Sequence, residues 1–129
     1  MAQTTDKDVR REHFFRRRTA NFIIANGATT SNFVDVRKGC ETLVGLIFPA
    51  AFTGATISFQ VAPPDINNPV NADFLDFYDD IGALITVTVT VGVYVNLSPS
   101  LFAGIRHVRI VSAGAEAAIR RIQGVIRPV

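Results

Sequence analysis

The side chains that could take part in catalysis are few and far apart in this sequence. Its two histidines are His13 and His107, and its single cysteine is Cys40. No serine lies in a G-x-S-x-G turn, no spacing of His, Cys and carboxylates matches a zinc site, and no glycine-rich phosphate loop occurs. We therefore expect no enzyme activity, no cofactor and no metal centre. Cys40 is expected to be a small buried residue, and His107 a surface residue on a strand.

The densest group of possible ligands consists of four aspartates: Asp73, Asp76, Asp79 and Asp80. Carboxylate oxygens bind Ca²⁺, but this group lacks the regular spacing and the glycine of a dedicated calcium loop. The pattern favours a solvated acidic turn that faces an arginine of a neighbouring molecule. Whether this turn, or the loop that precedes it, binds a glycan or calcium stays open.

A basic and aromatic segment, HFFRRRTA at residues 13–20, precedes the rest of the chain. It could bind nucleic acid, with arginines on phosphates and rings stacked on bases. Alternatively, it could lie in a groove of a partner protein, with the rings buried and the arginines paired with carboxylates. The second interpretation is favoured, because a duplex offers no stacking faces and the segment also contains acids. The predicted interface residues are Phe14, Phe15, Arg16, Arg17, Arg18 and Phe22.

Charge alternates along the chain, although the net charge is only +2. Residues 1–38 contain eight Lys or Arg and four acids, residues 39–105 contain six acids and no Lys or Arg, and residues 106–129 contain five Arg and one Glu. A protein that binds nucleic acid through its body needs a basic patch on the fold. Alternating bands instead suit contacts with copies of the same chain or with a neighbouring subunit.

The body of the chain has the pattern of short β-strands. Residues 85–95, ITVTVTVGVYV, alternate strictly, which predicts one buried and one polar face, with Gly92 as a bulge or a turn. The other predicted strands are 21–25, 43–48, 56–61, 74–78, 106–112 and 121–127. About eight short strands indicate an all-β, jelly-roll-like antiparallel sandwich over residues 21–129, preceded by an extended arm at residues 1–20.

The remaining features concern loops and targeting. Residues 62–72, APPDINNPVNA, predict an irregular surface loop, which we interpret as a tolerated connection. Residues 98–102 predict a short turn. No apolar run approaches the roughly 18 residues of a membrane span, and the N-terminus has no signal-peptide core. We therefore expect synthesis in the host cytoplasm and no membrane partner.

Several phrases in the sequence resemble small proteins encoded among tailed-phage structural genes. The phrases are LVGLIF and ISFQV, then FLDFYDD, then LSPSLFAGIRHVRIVS, and the terminal IRPV, and they lie within residues 26–129. The same phrases resemble a discoidin-type, galactose-binding-like jelly roll, except that residues 61–65 and the insertion after them replace its S-x-D-G turn. The first resemblance implies a virion component of the head-decoration, cement or fibre type.

Three functions follow as expectations. The first is a capsid decoration or cement protein on the phage head surface, which binds the major capsid protein and also forms a homo-oligomer or contacts adjacent copies. The second is a carbohydrate-binding module, which usually needs exposed aromatic platforms, and this chain has no Trp. The third is a tail or baseplate component, which the sequence does not separate from the first.

Overall fold

The structure is a computed structural model that describes residues 17–36 and 41–128. The described chain is built from β-strands and one 3-10 turn at Asn71–Asp73. Within the described ranges no helix is long and apolar enough to cross a membrane. The strands are β1 (Arg18–Ile24), β2 (Thr30–Asp35), β3 (Glu41–Ile47), β4 (Thr56–Ala62), β5 (Leu75–Asp76), β6 (Thr86–Thr88), β7 (Tyr94–Asn96), β8 (His107–Ser112) and β9 (Arg120–Pro128).

The strands pair antiparallel in a nested order. β1 pairs with β9, β2 with β8, β3 with β7 and β4 with β6, so the chain folds back on itself like one long hairpin. Further pairs of β3 with β9 and β4 with β8 extend these couples into a front and a back sheet. A short pairing of β1 with β2, at Ile24 and Ser31, joins the two into one nine-stranded curled sheet. The front sheet has the order β1-β9-β3-β7, and the back sheet has the order β2-β8-β4, with β5 and β6 both on the far edge of β4. This nested wrapping is the jelly-roll arrangement of an antiparallel sandwich, which confirms the predicted fold class.

The core lies between the two sheets. It is formed by alternate residues of the long strands, as expected when each strand has one buried face. The largest fully buried apolar residues are Phe22, Phe48, Phe59, Phe102, Ile24, Leu43, Leu46, Ile57, Ile110, Ile122 and Ile126. Phe59 and Phe102 pack edge to face, with ring centroids 4.9 Å apart, and Phe77 stacks on the other side of Phe102.

The first strand begins earlier than the sequence pattern indicates. Arg18, Thr19 and Ala20 pair with Ile126, Val125 and Gly124 of β9. Backbone pairing with β9 therefore extends into residues that the sequence assigned to the arm.

The alternating run at residues 85–95 is divided at Gly92, which confirms the prediction of a turn at this glycine. Gly92 has φ +72°, which marks a turn, and the run divides into β6 and β7 on opposite sheets. Between them the chain crosses the open edge of the sandwich, where Gly92 N–H donates to the Phe48 carbonyl at 3.4 Å. Val91 and Val93, on either side of Gly92, are 45% and 46% exposed. The prediction of one continuous buried face is therefore wrong at these two positions.

One strand, β2, has no counterpart among the predicted strands. The register between β2 and β8 shifts between Thr30 and Phe33, and this irregularity breaks the alternation that would reveal a strand. The side chain of Asn32 links β2 to β1 in this irregular region. Its Oδ1 accepts from Ile23 N–H at 2.7 Å, and its Nδ2 donates to the Asn21 carbonyl at 3.1 Å. The predicted turn at residues 98–102 is confirmed by a hydrogen bond from Leu101 N–H to the Ser98 carbonyl.

Gly124 is required by the core, and its replacement gives a first test of the fold. A Cβ at Gly124 would lie 2.7 Å from Cε2 of Phe22 and 3.0 Å from Cδ1 of Leu43, both fully buried. We expect Gly124→Ala to lower the free energy of unfolding by about 2 kcal/mol through overpacking, measured by urea denaturation. Gly45→Ala is the matched control, because the three atoms nearest to its Cβ would all belong to the outer ring of Tyr94, which is 46% exposed and can swing outward. Equal losses in the two variants would contradict this account.

Candidate interaction site

The predicted interface residues lie on both sides of the point where the described chain begins. Arg17 is exposed and directly precedes β1. The residues that the sequence singled out and that lie outside the described part of the chain are His13, Phe14, Phe15, Arg16 and Cys40.

Arg18 is held by its own fold. Its Nε donates to both carboxylate oxygens of Glu41 at 3.2 and 3.0 Å, and its Nη2 donates to Glu41 Oε1 at 2.8 Å and to the Asp35 carbonyl at 3.0 Å. β1 and β3 lie on either side of β9. The bidentate ion pair of Arg18 with Glu41 therefore spans β9 and links β1 to β3. The hydrogen bonds to Glu41 raise the pKa of Arg18. In the folded body Arg18 therefore fastens the start of the first strand, a role that the interface prediction did not assign to it.

Phe22 is completely buried, with 0% exposure. Alternation along β1 turns it inward, next to Gly124. The prediction of Phe22 as a partner-binding residue is therefore corrected, because a side chain in the centre of the core offers no surface to a partner.

A charged cluster lies beside Arg18, where β2 ends and β8 begins. Arg106 Nε is 3.5 Å and His107 Nε2 is 3.7 Å from Oδ2 of Asp35. His107 is 1% exposed, and the ring of Phe33 packs edge-on against it at 5.3 Å between centroids. The prediction that His107 is a surface residue is wrong. Its side chain points away from the core, but Phe33 covers it.

The pKa of His107 is lowered. Burial is the main cause, because it disfavours the charged imidazolium, while Asp35 acts in the opposite direction and Arg106 adds to the lowering. The buried Nδ1 of His107 makes no hydrogen bond to any residue within the described ranges.

The outer face of the back sheet carries one row of side chains that are in register. Phe33, Arg109, Gln60 and Asp76 occupy paired positions on β2, β8, β4 and β5. Arg109 Nε donates to Gln60 Oε1 at 2.8 Å, and Gln60 Nε2 donates to Asp76 Oδ1 at 2.9 Å. These side-chain hydrogen bonds link β8, β4 and β5 on the face away from the core.

The loop at residues 63–74 folds over this row. Asn71 Oδ1 accepts from Arg109 Nη1 at 2.8 Å, and Asn67 Oδ1 accepts from Arg106 Nη1 at 2.9 Å. The guanidinium carbon of Arg109 lies 4.2 Å from the ring centroid of Phe74, which is only 8% exposed. The irregular loop predicted from the sequence is confirmed, but it is a packed cover over the back sheet and not simply a connection.

Two of the four aspartates of the acidic turn, Asp73 and Asp79, accept from local backbone N–H groups. Asp73 Oδ2 accepts from Val70 N–H at 2.7 Å, and Asp79 Oδ1 accepts from Ile81 N–H at 3.0 Å and Ala83 N–H at 2.8 Å. Among residues 17–36 and 41–128, no group of three or more His, Cys, Asp or Glu could hold a metal ion. The described acids therefore build turns, and their outward-facing charge is available for contacts.

Glu116 is a buried carboxylate that sequence reasoning missed, because it stands alone in an Ala- and Gly-rich turn. It is 1% exposed and accepts from the N–H groups of Thr53 at 2.8 Å and Gly54 at 3.0 Å, from Ser112 Oγ at 2.8 Å and from Arg120 Nε at 3.1 Å. Burial raises its pKa, but these four hydrogen bonds together outweigh burial and lower the pKa below its usual 4.5. Glu116 fastens three loops at one end of the sandwich and is a structural residue.

The comparisons with known proteins add likenesses of low identity. No protein-family model and no curated protein matches the sequence. The SPBc2 prophage-derived protein YomS is 12% identical over 85% of this chain and 93% of its own, with a TM-score of 0.43. A structure described as Bacillus endospore appendages that form disulfide-linked pili is 13% identical over 88% and 86%, also with a TM-score of 0.43. The K2 cleaved adhesin domain of Lys-gingipain is 13% identical over 86% and 72%, with a TM-score of 0.40. The fold assignment rests on the strand pairing of the chain itself.

His107 predicts one pH dependence of stability. Because its folded pKa lies below the ordinary 6.5, the unfolded chain takes up the proton first, and stability that is full above about pH 6.5 falls as the pH drops through the folded value. We expect urea midpoints of the parent protein to decline between about pH 7 and pH 5, and those of His107→Gln to decline less over the same range. Parallel profiles for the two proteins would show that His107 is not the group that titrates.

Glu116 predicts a second, more acidic window. Its lowered pKa means that its contribution is full above about pH 4.5 and is lost as the pH falls through the folded value. Glu116→Gln should lose about 3 kcal/mol at neutral pH, because it removes the partner of Arg120 and leaves the N–H groups facing an amide. The difference from the parent protein should shrink on acidification, as measured by denaturation at a series of pH values. Asp65→Asn, an exposed acid, is the control and should change neither quantity.

Proposed function

We propose that this protein is a non-enzymatic structural component of a bacteriophage virion, a decoration or cement protein on the head surface that binds the major capsid protein. The observation that carries the proposal is the junction between arm and body. Arg18 is fixed to Glu41 and to the Asp35 carbonyl at the first residue of β1. A contact made by the residues just before Arg18 is therefore transmitted directly to the sandwich. An attachment that holds a rigid body on a particle requires such a connection.

The composition of the arm suits a protein interface. Burying a phenylalanine such as Phe14 or Phe15 contributes roughly 2 to 3 kcal/mol, whereas an exposed ion pair contributes at most about 1 kcal/mol. The rings would supply most of the affinity, and Arg16 and Arg17 would add orientation by meeting carboxylates of the coat or of an adjacent copy. Arg18 is already paired within the body and contributes to holding the arm in place.

The fold is compatible with this role without deciding it. Jelly rolls occur in viral capsid proteins and also in lectin domains, so the architecture alone does not choose between them. The resemblance of residues 26–129 to small tailed-phage structural proteins favours the virion. A tail or baseplate location would use the same contacts, and only the position on the particle separates the two.

The carbohydrate alternative has less support from the described surface. A glycan platform needs an open ring face, but the ring of Phe74 is covered by Arg109. The ring of Tyr94 lies against Gly45 of β3. Tyr78, at 53% exposure, is the more open of the two tyrosines. A glycan array that finds one saccharide class, with binding lost in Tyr78→Ala, would favour this alternative.

The proposal predicts which arm residues dominate attachment. Phe14→Ala combined with Phe15→Ala should weaken attachment more than Arg16→Gln combined with Arg17→Gln, because ring burial exceeds exposed ion pairing. Salt should have only a modest effect. The measurement is co-sedimentation with emptied, DNA-free heads of the phage whose genome carries the gene, over a series of salt concentrations.

Arg121→Gln is the matched control for the arginine pair, because Arg121 is exposed on β9 and lies outside the arm. It should attach like the parent protein. Attachment that requires packaged DNA, or that falls steeply with salt and fails most in the arginine variant, would indicate phosphate binding and contradict the proposal.

A further inference from the structure

A small hairpin projects from the edge of the back sheet at residues 76–84, and we call it the acidic hairpin. Tyr78 and Leu84 form a bridge at its base, and Asp79 N–H donates to the Ala83 carbonyl at 2.8 Å. Gly82 supplies the left-handed turn with φ +83°, and Asp79 Oδ1 accepts two further N–H groups. The hairpin is therefore an ordered projection with its own hydrogen bonds.

The surface of this hairpin is unusual for a solvent-facing turn. Ile81 is 85% exposed, Tyr78 is 53% exposed and Leu84 is 39% exposed. The carboxylates of Asp76, Asp79 and Asp80 lie within the same nine residues, and residues 39–105 contain no Lys or Arg. Exposed apolar side chains surrounded by charges of a single sign are a common feature of an interaction surface. The partner that fits is aromatic and basic.

The chain itself contains such a partner. Phe14, Phe15, Arg16 and Arg17 follow two further arginines at positions 10 and 11, and together they form the only aromatic and basic segment in the sequence. We propose that the acidic hairpin of one copy binds residues 10–17 of a second copy, with the two rings against Tyr78 and Ile81 and the arginines against the aspartates. This inference rests on the proposed function, in which the arm holds the protein on the particle, and it names the acceptor of the arm.

Charge complementarity favours a second copy as the source of the partner segment. Residues 1–38 form a basic band and residues 39–105 an acidic band, so two copies of the chain attract one another through unlike regions.

Binding of this kind runs head to tail. The arm and the hairpin are different surfaces, so each copy gives its arm to one neighbour and receives the arm of another. Such contacts form closed rings or open filaments, and a closed ring suits a protein that covers the joints of a symmetric shell. In this arrangement the basic band at residues 1–38 of one copy meets the acidic band at residues 39–105 of the next copy.

The test uses reversed charges in the full-length protein, without particles. One variant carries Arg16→Glu and Arg17→Glu, and the other carries Asp76→Lys and Asp80→Lys. Sedimentation velocity over a concentration series should show that the parent protein self-associates and that each variant alone associates at least about tenfold more weakly, because like charges then meet. An equal mixture of the two variants should recover association, because every arm again finds a hairpin of opposite charge.

Two controls separate the hairpin from general surface effects. Asp65→Lys changes an exposed acid in another loop, and Ile119→Ser changes an apolar residue that is 68% exposed elsewhere. Both should associate like the parent protein, whereas Ile81→Ser should associate more weakly. Circular dichroism spectra that match the parent show that each variant is folded.

Several results would overturn the inference. A parent protein that is monomeric at every concentration would contradict the inference, because the hairpin would then bind its own arm or the coat protein. Variants that associate like the parent, or a mixture that does not recover association, would exclude this pairing of arm and hairpin. Because the measurement contains no particle, its failure is distinct from failure of the proposed function, which is read from attachment to heads.

Discussion

The pairing of the first strand with the last is the interaction on which the rest of the structure depends. β1 is paired with β9 over its whole length, and β9 continues to β3, so the front sheet is built on the two ends of the described chain. Gly124 of β9 leaves room for Phe22 of β1, and Arg18 reaches past β9 to Glu41 on β3. The same pairing thus closes the core and fixes the point where the arm enters. The basic, aromatic segment is joined directly to β1, which is paired with β9 over its whole length. This connection is a physical reason why the segment can serve as an attachment.

Polar side chains stabilise the places where the ladders of backbone hydrogen bonds stop. Asn32 bridges β1 and β2 beside the register shift between β2 and β8, Glu116 gathers the loops at one end, and Asp79 closes the acidic hairpin. Glu116 is buried, and a buried polar group costs free energy unless it is hydrogen-bonded, so its bonds hold its loop in one conformation. Asn32 and Asp79 are exposed and hold their segments through their hydrogen bonds to backbone groups. Loops that are held in this way present fixed surfaces. The cover at residues 63–74 and the acidic hairpin are two such surfaces on the back sheet.

The sequence predicts the regular parts of this fold well and the irregular parts poorly. Alternation reveals β4, β8 and β9, because each has one face on the core. It fails for β2, where a register shift breaks the period, and for Val91 and Val93, where the chain crosses an edge.

His107 has the outward position expected of a surface residue, and only the tertiary contact with Phe33 buries it. Phe22 was grouped with the arm by its neighbours in the sequence, although alternation from Arg18 turns it inward. Glu116 carries no sequence signal, because the two backbone N–H groups that bind it, of Thr53 and Gly54, are more than 60 residues away in the chain. The complementarity between the arm and the acidic hairpin, by contrast, is visible in the charge pattern, and the structure adds the exposed apolar side chains that go with it.

The central claim is that this jelly roll is a structural part of a phage head. The most direct measurement is electron cryo-microscopy of purified virions from the phage that carries the gene. The account predicts jelly-roll density on the outer surface of the head, over joints between coat subunits, with density for the arm continuing from the start of β1 into a neighbouring subunit. Purified virions that lack the protein, or that carry it only on the tail, would contradict the account.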